Sequence, residues 1–501
     1  MPLDSEKKRL EARLLDLLSR ALLERNRDDI VGTSLKLGAL YLSGDLYDKS
    51  EECFHRVLGE PVADLARADE KAQAEAGLAR VALCRGHLTL AQEALERAEA
   101  LLSGQSEVLI EVRQLQCQRD LHAGRYREVV DTIESTLTRE SPDKLGDTRV
   151  DFMILEGRAR RLMGRNRQAV RLLEKALELA ENTGYEAGTA RARSELGALL
   201  GTLGQFKSAQ EVLSAALRSN EAMGRQYRLD RDHCRLGLLL VHMGRWEEAE
   251  NLLLESYRSS RDLRTLENRL GSQLARAQLL CLRGDLEDAR DLALDAMEVA
   301  RSAGFVRRHA EGLLGLGNVA VEGGQPYEAL DFLREAEALY SHLAPESNIM
   351  LQVHAAIGRA HDALGESSEA FDALMRAHNL GRETGNAYER HRVDSLLGAH
   401  FQHEGDSDKA ADVLTKAASE LGTLGAKYDV AQARLWFAEL LCEMHSTGPV
   451  EQRQRDAKLA RSNLFEARRL LEGMGARRRL AEVTELESRL QPELPSPSSE
   501  A

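Results

Sequence analysis

A single glycine recurs along this 501-residue chain at the spacing of a structural repeat. Gly124, Gly164, Gly204, Gly244, Gly284, Gly324, Gly365 and Gly405 lie 40 residues apart, with one step of 41, and Gly86 stands 38 before the first. Such a period is the mark of a solenoid, in which each unit buries its apolar face only against its neighbours. Seven residues upstream a second glycine often appears, as Gly157, Gly197, Gly237, Gly317, Gly358 and Gly398. Downstream of the turn glycine come alanine, then leucine, then a small residue, as in Ala169, Leu173 and Ala176 or Ala209, Leu213 and Ala216. Positions i, i+4 and i+7 share one face of a helix. The turn glycine is therefore read as the end of a first helix, where a left-handed backbone is easily adopted only by glycine. The small residues let a second, antiparallel helix approach closely. One repeat departs from the pattern, with Ala293 in the leucine position. A further set, Gly184, Gly224, Gly304, Gly385 and Gly425, closes the second helices.

Composition supports an all-α chain: it has only 9 prolines and 4% aromatic residues and is rich in Ala, Leu, Glu and Arg. The formal net charge of −14 argues against a general nucleic-acid binder, which needs a basic face to replace counterions. Two basic runs, Arg477-Arg478-Arg479 and Arg307-Arg308-His309, are read as solvated helix starts or loops. The six cysteines (53, 84, 117, 234, 281 and 442) form no CxxC pair and are read as reduced thiols packed in helices. The N-terminus has charges on every turn and no apolar core of a signal peptide. The longest apolar stretch, near Leu236 to Met243, is far short of the ~20 residues that span a bilayer. The expectation is a cytoplasmic protein that does not engage a membrane.

The repeat resembles the tetratricopeptide repeat. Leu236-Gly237 followed by Gly244-Arg245-Trp246-Glu247-Glu248-Ala249, and Leu37-Gly38-Ala39-Leu40-Tyr41 followed by Tyr47-Asp48-Lys49-Ser50 and Phe54, match its signature. The unit is longer than the common form of about 34 residues. That 40-residue variety is similar to the arrays of bacterial signalling and transcription-regulator proteins. The resemblance implies a right-handed superhelical solenoid of about eleven antiparallel helix pairs. Residues 1–30 are assigned to an N-terminal capping helix, with Leu10, Leu14, Leu17, Leu18 and Leu22 as its apolar stripe. Residues 31–476 form the continuous array, interrupted by a polar loop from His445 to Gln454. Residues 477–490 form a C-terminal capping helix, and 491–501 a disordered tail.

Enzyme chemistry finds no foothold. There is no GxxxxGK[ST], no GxGxxG on a strand-to-helix turn, no HExxH and no GxSxG. His400 and His403, with His361 one repeat earlier, have helical spacing but no carboxylate or cysteine at matching spacing, so no metal is expected. Glu247-Glu248 sits where acids favour a helix N-terminus. Cys234 and Cys281 are read as small apolar filler in the groove. No cofactor is expected.

The resemblance also implies that the first helix of each pair lines a concave groove. Projecting positions three, six and ten before the turn glycine gives candidate partner-binding residues: Arg80, Gln118, Arg158, Arg161, Leu238, Val241, Leu274, Leu314, Asn318, Arg359 and Gln402. The middle repeats offer an apolar strip between charged flanks, suited to a partner peptide or helix. A clamp for a C-terminal carboxylate is not expected, because Leu314 stands where its basic residue belongs. The leading expectation is a non-enzymatic interaction scaffold or adaptor in bacterial signalling. The alternative is a receptor whose superhelix changes pitch on binding a short peptide or small effector. A homodimer through an array end is also considered.

Overall fold

A computed structural model describes residues 5–24, 26–102, 107–141, 145–447 and 450–490. Among these, eleven antiparallel helix pairs follow one another, with the helix Ser5–Glu24 before them and Arg477–Arg489 after them. The turn glycines behave as their spacing predicts. Gly164, for example, has φ +79°, its amide donates to Arg161 and the next amide reaches back to Arg160. This double closure satisfies the last carbonyls of the first helix and reverses the chain within three residues.

The upstream glycine is explained by its neighbour. A Cβ on Gly157 would lie 2.7 Å from Leu173, and one on Gly317 would lie 2.6 Å from Leu333. Each recurrent leucine thus seats on the bare backbone of the paired helix, fully buried. The departing repeat replaces the glycine–leucine seat by two methyl groups: Ala277 stands at the glycine position and Ala293 at the leucine position, both buried.

Several boundaries differ from the sequence reading. The first pair begins at Arg27, so the line drawn at residue 30 falls inside a helix. The expected loop from His445 to Gln454 is largely helical: one helix runs to Thr447 and the next starts at Val450. Of the N-terminal stripe, Leu14 and Leu18 are buried, joined by Ala21, while Leu10, Leu17 and Leu22 are exposed. The alternate faces of that helix are both apolar, and only one has an array to pack on. The tail 491–501 lies outside the described residues. No helix among the described residues is long and apolar enough to cross a membrane.

The array closes on itself. Hydrogen bonds join Asp45 to Tyr227, Tyr126 to Tyr340, Asn166 to Thr384 and Asp285 to Arg477, residues 182 to 218 apart in sequence. With a 40-residue unit, that separation corresponds to about five repeats per superhelical turn. The eleven pairs therefore make about two turns, and the second rests on the first. The turn glycines of the first superhelical turn are the points of contact. A Cβ on Gly86 would strike Leu266 at 2.6 Å, on Gly164 the carbonyl oxygen of Glu346 at 1.9 Å, and on Gly244 Met474 at 2.7 Å. The equivalent Gly324, Gly365 and Gly405, one superhelical turn later, would meet nothing within 4 Å.

Candidate ligand-binding chamber

Closure of the two turns converts the concave groove into a chamber of about 400 Å³. First helices from both superhelical turns line it, from Asp147–Leu162 through Lys427–Thr447, and Arg479 enters from the C-terminal helix. Eight of the sequence candidates meet here: Arg158, Arg161, Leu238, Val241, Leu274, Leu314, Asn318 and Arg359. Leu238 and Leu274 are half-buried and face the space, whereas Val241 and Leu314 are buried in the packing between helices. Arg80, Gln118 and Gln402 are not among the lining residues. Arg80 is paired with Glu111 at 2.7 Å, and the Gln402 amide donates to Glu443 at 3.2 Å.

One end of the chamber is dominated by arginine. Arg158, Arg161, Arg231, Arg235, Arg307 and Arg308 all line it. Glu267 accepts from Arg307 at 2.9 Å and from Arg308 at 3.0 Å. Glu311 accepts from the same two guanidiniums, at 2.5 and 2.8 Å. Glu195 is bonded to Arg235 at 2.5 Å. Arg158 and Arg161 come off worse. Their nearest carboxylates stand at 3.6 and 3.7 Å, and the buried Nε of each makes no hydrogen bond among the described residues. Gly271 matters to this packing, because a Cβ there would lie 2.6 Å from the Arg308 guanidinium.

The protonation balance follows the geometry. Burial would push the Glu195 and Glu267 carboxyls up, but the surrounding guanidiniums hold both far below the usual carboxylate range. Burial, opposed only by carboxylates beyond hydrogen-bond range, lowers Arg158 to about 9 and Arg161 to about 10. Burial likewise pushes the Cys281 thiol up to about 12 and raises Cys234, so neither is poised as a thiolate. His122, just behind Glu267, is lowered to about 3 by burial and is neutral.

The other end is balanced. Glu322 pairs with Arg359 and with Arg478 and Arg479 of the C-terminal helix, Arg392 bonds Glu389 at 2.7 Å, and Tyr388 donates to Asp429 at 3.0 Å. Two sequence readings are corrected here. The run Arg477-Arg478-Arg479 is a helix start as expected, with Arg477 exposed, but it is not merely solvated: Arg477 reaches Asp285, and Arg478 and Arg479 tie the last helix to Glu322. Arg307 and Arg308 are half-buried, at 17% and 15% side-chain exposure, within the chamber wall. His400 and His403 do have a carboxylate, since Asp362 from the preceding repeat bridges them at 2.9 and 2.7 Å. His361 binds Glu366 instead, and no group of three or more His, Cys, Asp or Glu among the described residues is arranged to hold a metal ion.

Sequence projection missed Arg231, Glu267, Arg307, Glu311 and Arg392. The signal was present, because these stand 13 or 17 residues before the turn glycine. Those offsets continue the 3, 6 and 10 series along the same helix face by one and two further turns.

Residues 153–222 match the family model of the tetratricopeptide repeat. No curated protein matches the chain by sequence. Similar solved structures include a Rap protein complexed with competence and sporulation factor, at 13% identity and TM-score 0.38, covering 81% of this chain and 99% of that one. Another is the apo form of the quorum sensor NprR from B. thuringiensis, at 14% identity and TM-score 0.43, covering 70% and 99%. A third is the apo form of RapI, at 12% identity and TM-score 0.33, covering 80% and 98%.

Proposed function

We infer that this chain, whose residues 153–222 match the tetratricopeptide-repeat model, is a non-enzymatic interaction protein gated by a short peptide or small effector. The observation that carries this reading is a single chamber lined from both superhelical turns. A ligand touching Arg158 and Leu238 on one turn and Arg359 and Arg392 on the next favours the closed state over any state in which the turns separate. Binding energy is thereby converted into superhelical pitch, and pitch sets the outer surface offered to a partner protein.

A chamber of about 400 Å³ suits a small molecule or a few extended residues. Positioned charges and apolar walls supply recognition, and bond chemistry is no part of the proposal. Cytoplasmic signalling is the setting proposed from the repeat type.

The test uses Leu274→Trp, which fills the chamber from its half-buried wall. Peptide and metabolite pools are screened for compounds that raise the melting temperature of the parent protein. A compound that stabilises the parent, spares Leu274→Trp and reduces the radius of gyration supports the reading. Compounds that stabilise both proteins equally place binding elsewhere and refute it.

A further inference from the structure

Among the described residues, the arginine-rich end of the chamber holds more guanidiniums than carboxylates. Six guanidiniums, those of Arg158, Arg161, Arg231, Arg235, Arg307 and Arg308, meet there. Four carboxylates face them: Glu195, Glu267, Glu311 and Asp232. Asp232 is occupied besides by Ser194 and Asn220. The excess is two positive charges, in a protein whose net charge is −14. Burying unneutralised charge is strongly unfavourable unless a partner is present for part of the working cycle.

The shortfall is localised. Arg235, Arg307 and Arg308 have carboxylate hydrogen bonds, whereas Arg158 and Arg161 approach carboxylates only at 3.6 and 3.7 Å among the described residues, and Arg231, 3.9 Å from Glu195, donates to the Tyr227 hydroxyl at 2.9 Å. Arg158 is 8% exposed, and its Nε is without a hydrogen-bond partner among the described residues, as are those of Arg161 and Arg308. Next to these three guanidiniums lies an apolar wall, formed by Leu238 and Leu274.

We propose that this end of the chamber binds the phosphoryl group of a small phosphorylated ligand, whose apolar body lies on Leu238 and Leu274. A phosphate monoester matches on two counts. Its two negative charges cancel the excess, where a carboxylate cancels half. Its three terminal oxygens accept from three guanidiniums at once, the geometry that favours arginine at phosphate sites. This rests on the chamber being the effector site and adds the chemical class of the effector.

The test is isothermal titration calorimetry with inorganic phosphate, phenyl phosphate and benzoate. The proteins are the parent chain, Arg158→Met/Arg161→Met, Leu274→Trp and the surface control Arg245→Met. Methionine keeps volume and removes two under-paired charges, so helicity by circular dichroism is expected to hold. Single Arg158→Met replaces the double variant if it does not. Phenyl phosphate should bind the parent and Arg245→Met most tightly of the three probes, and lose at least ~100-fold in affinity in the arginine variant, about 2.7 kcal/mol. Inorganic phosphate binding as tightly as phenyl phosphate would keep the anion site and assign free phosphate as its source. Benzoate binding as tightly as phenyl phosphate would overturn the phosphoryl assignment. No binding by any probe at millimolar concentration would overturn the site. Phenyl phosphate affected by Leu274→Trp but indifferent to the arginine change would remove the anion site and leave the effector chamber standing. Equal binding to all four proteins would remove both.

Discussion

Replacing Gly164 with alanine tests whether the two superhelical turns hold each other closed. The two glycines at the ends of the helix Asn166–Asn182 form an internal control. Gly164 and Gly184 have nearly the same backbone, φ +79° and +69°. Alanine at either position therefore carries the same left-handed penalty, about 1–2 kcal/mol. Their surroundings differ. At Gly184 a Cβ would meet nothing within 4 Å, but at Gly164 it would lie 1.9 Å from the carbonyl oxygen of Glu346, one superhelical turn away. Ordinary contact is near 3.4 Å, so the Glu346 segment must retreat by about 1.5 Å. That obstacle is backbone and cannot swing aside like a side chain. Overpacking of this kind costs about 1–3 kcal/mol. The neighbouring hydrogen bond from Asn166 to the Thr384 carbonyl, 3.0 Å and buried, is lost as the turns part, adding about 1 kcal/mol. Gly164→Ala should thus be about 2–4 kcal/mol less stable than Gly184→Ala in guanidinium denaturation followed by helical circular dichroism. Its radius of gyration by small-angle scattering should rise, while that of Gly184→Ala stays at the parent value. Equal stability and equal radius in the two variants would refute the role assigned to the inter-turn contact.

Three further outcomes are expected. Arg264 occupies the second-helix terminus with φ 54°, where neighbouring repeats place glycine, so Arg264→Gly should stabilise by about 1 kcal/mol in the same denaturation assay. His122 is held at about 3 against an ordinary 6.5, so the stability of its neutral ring is complete above pH 6.5 and is lost as pH falls from 6.5 toward 3. Between pH 7.5 and 5 it accounts for about 2 kcal/mol of stability loss, which His122→Phe should abolish; urea titrations at both pH values that show the same loss in both proteins would contradict this. Leu333→Ala, which empties the seat over Gly317, should cost about 2–5 kcal/mol, whereas Leu23→Ala, at 85% exposure, should leave the denaturation midpoint unchanged.

Much of the site was legible because its helices share one register. Once the turn glycine is located, counting back along the first helix identifies the inward face, and eight of eleven projected residues line the chamber. Arg80, Gln118 and Gln402 come from repeats near the two ends or in the partly filled margins, where the same helix face meets a neighbour such as Glu111 or Glu443 rather than open space. Arg307 and Arg308 were misread for a different reason. A basic pair at a helix start is ordinarily solvated, and nothing within one repeat announces that Glu267, 40 and 41 residues earlier, will be buried against it.

The division between local and global information is clean in this chain. The 40-residue spacing, the left-handed turn glycines and the glycine-to-leucine seats act within one helix pair, so they determine the pairs, their antiparallel sense and which face turns inward. Whether successive turns of the superhelix touch depends on a small rotation at every interface between repeats, summed over about five of them. That sum is carried by side-chain packing and leaves no periodic trace in the sequence. Only the tertiary structure therefore reveals that the two superhelical turns meet, that Arg478 and Arg479 fasten the last helix to Glu322, and that Arg158 and Arg161 stand in the chamber wall without close carboxylates.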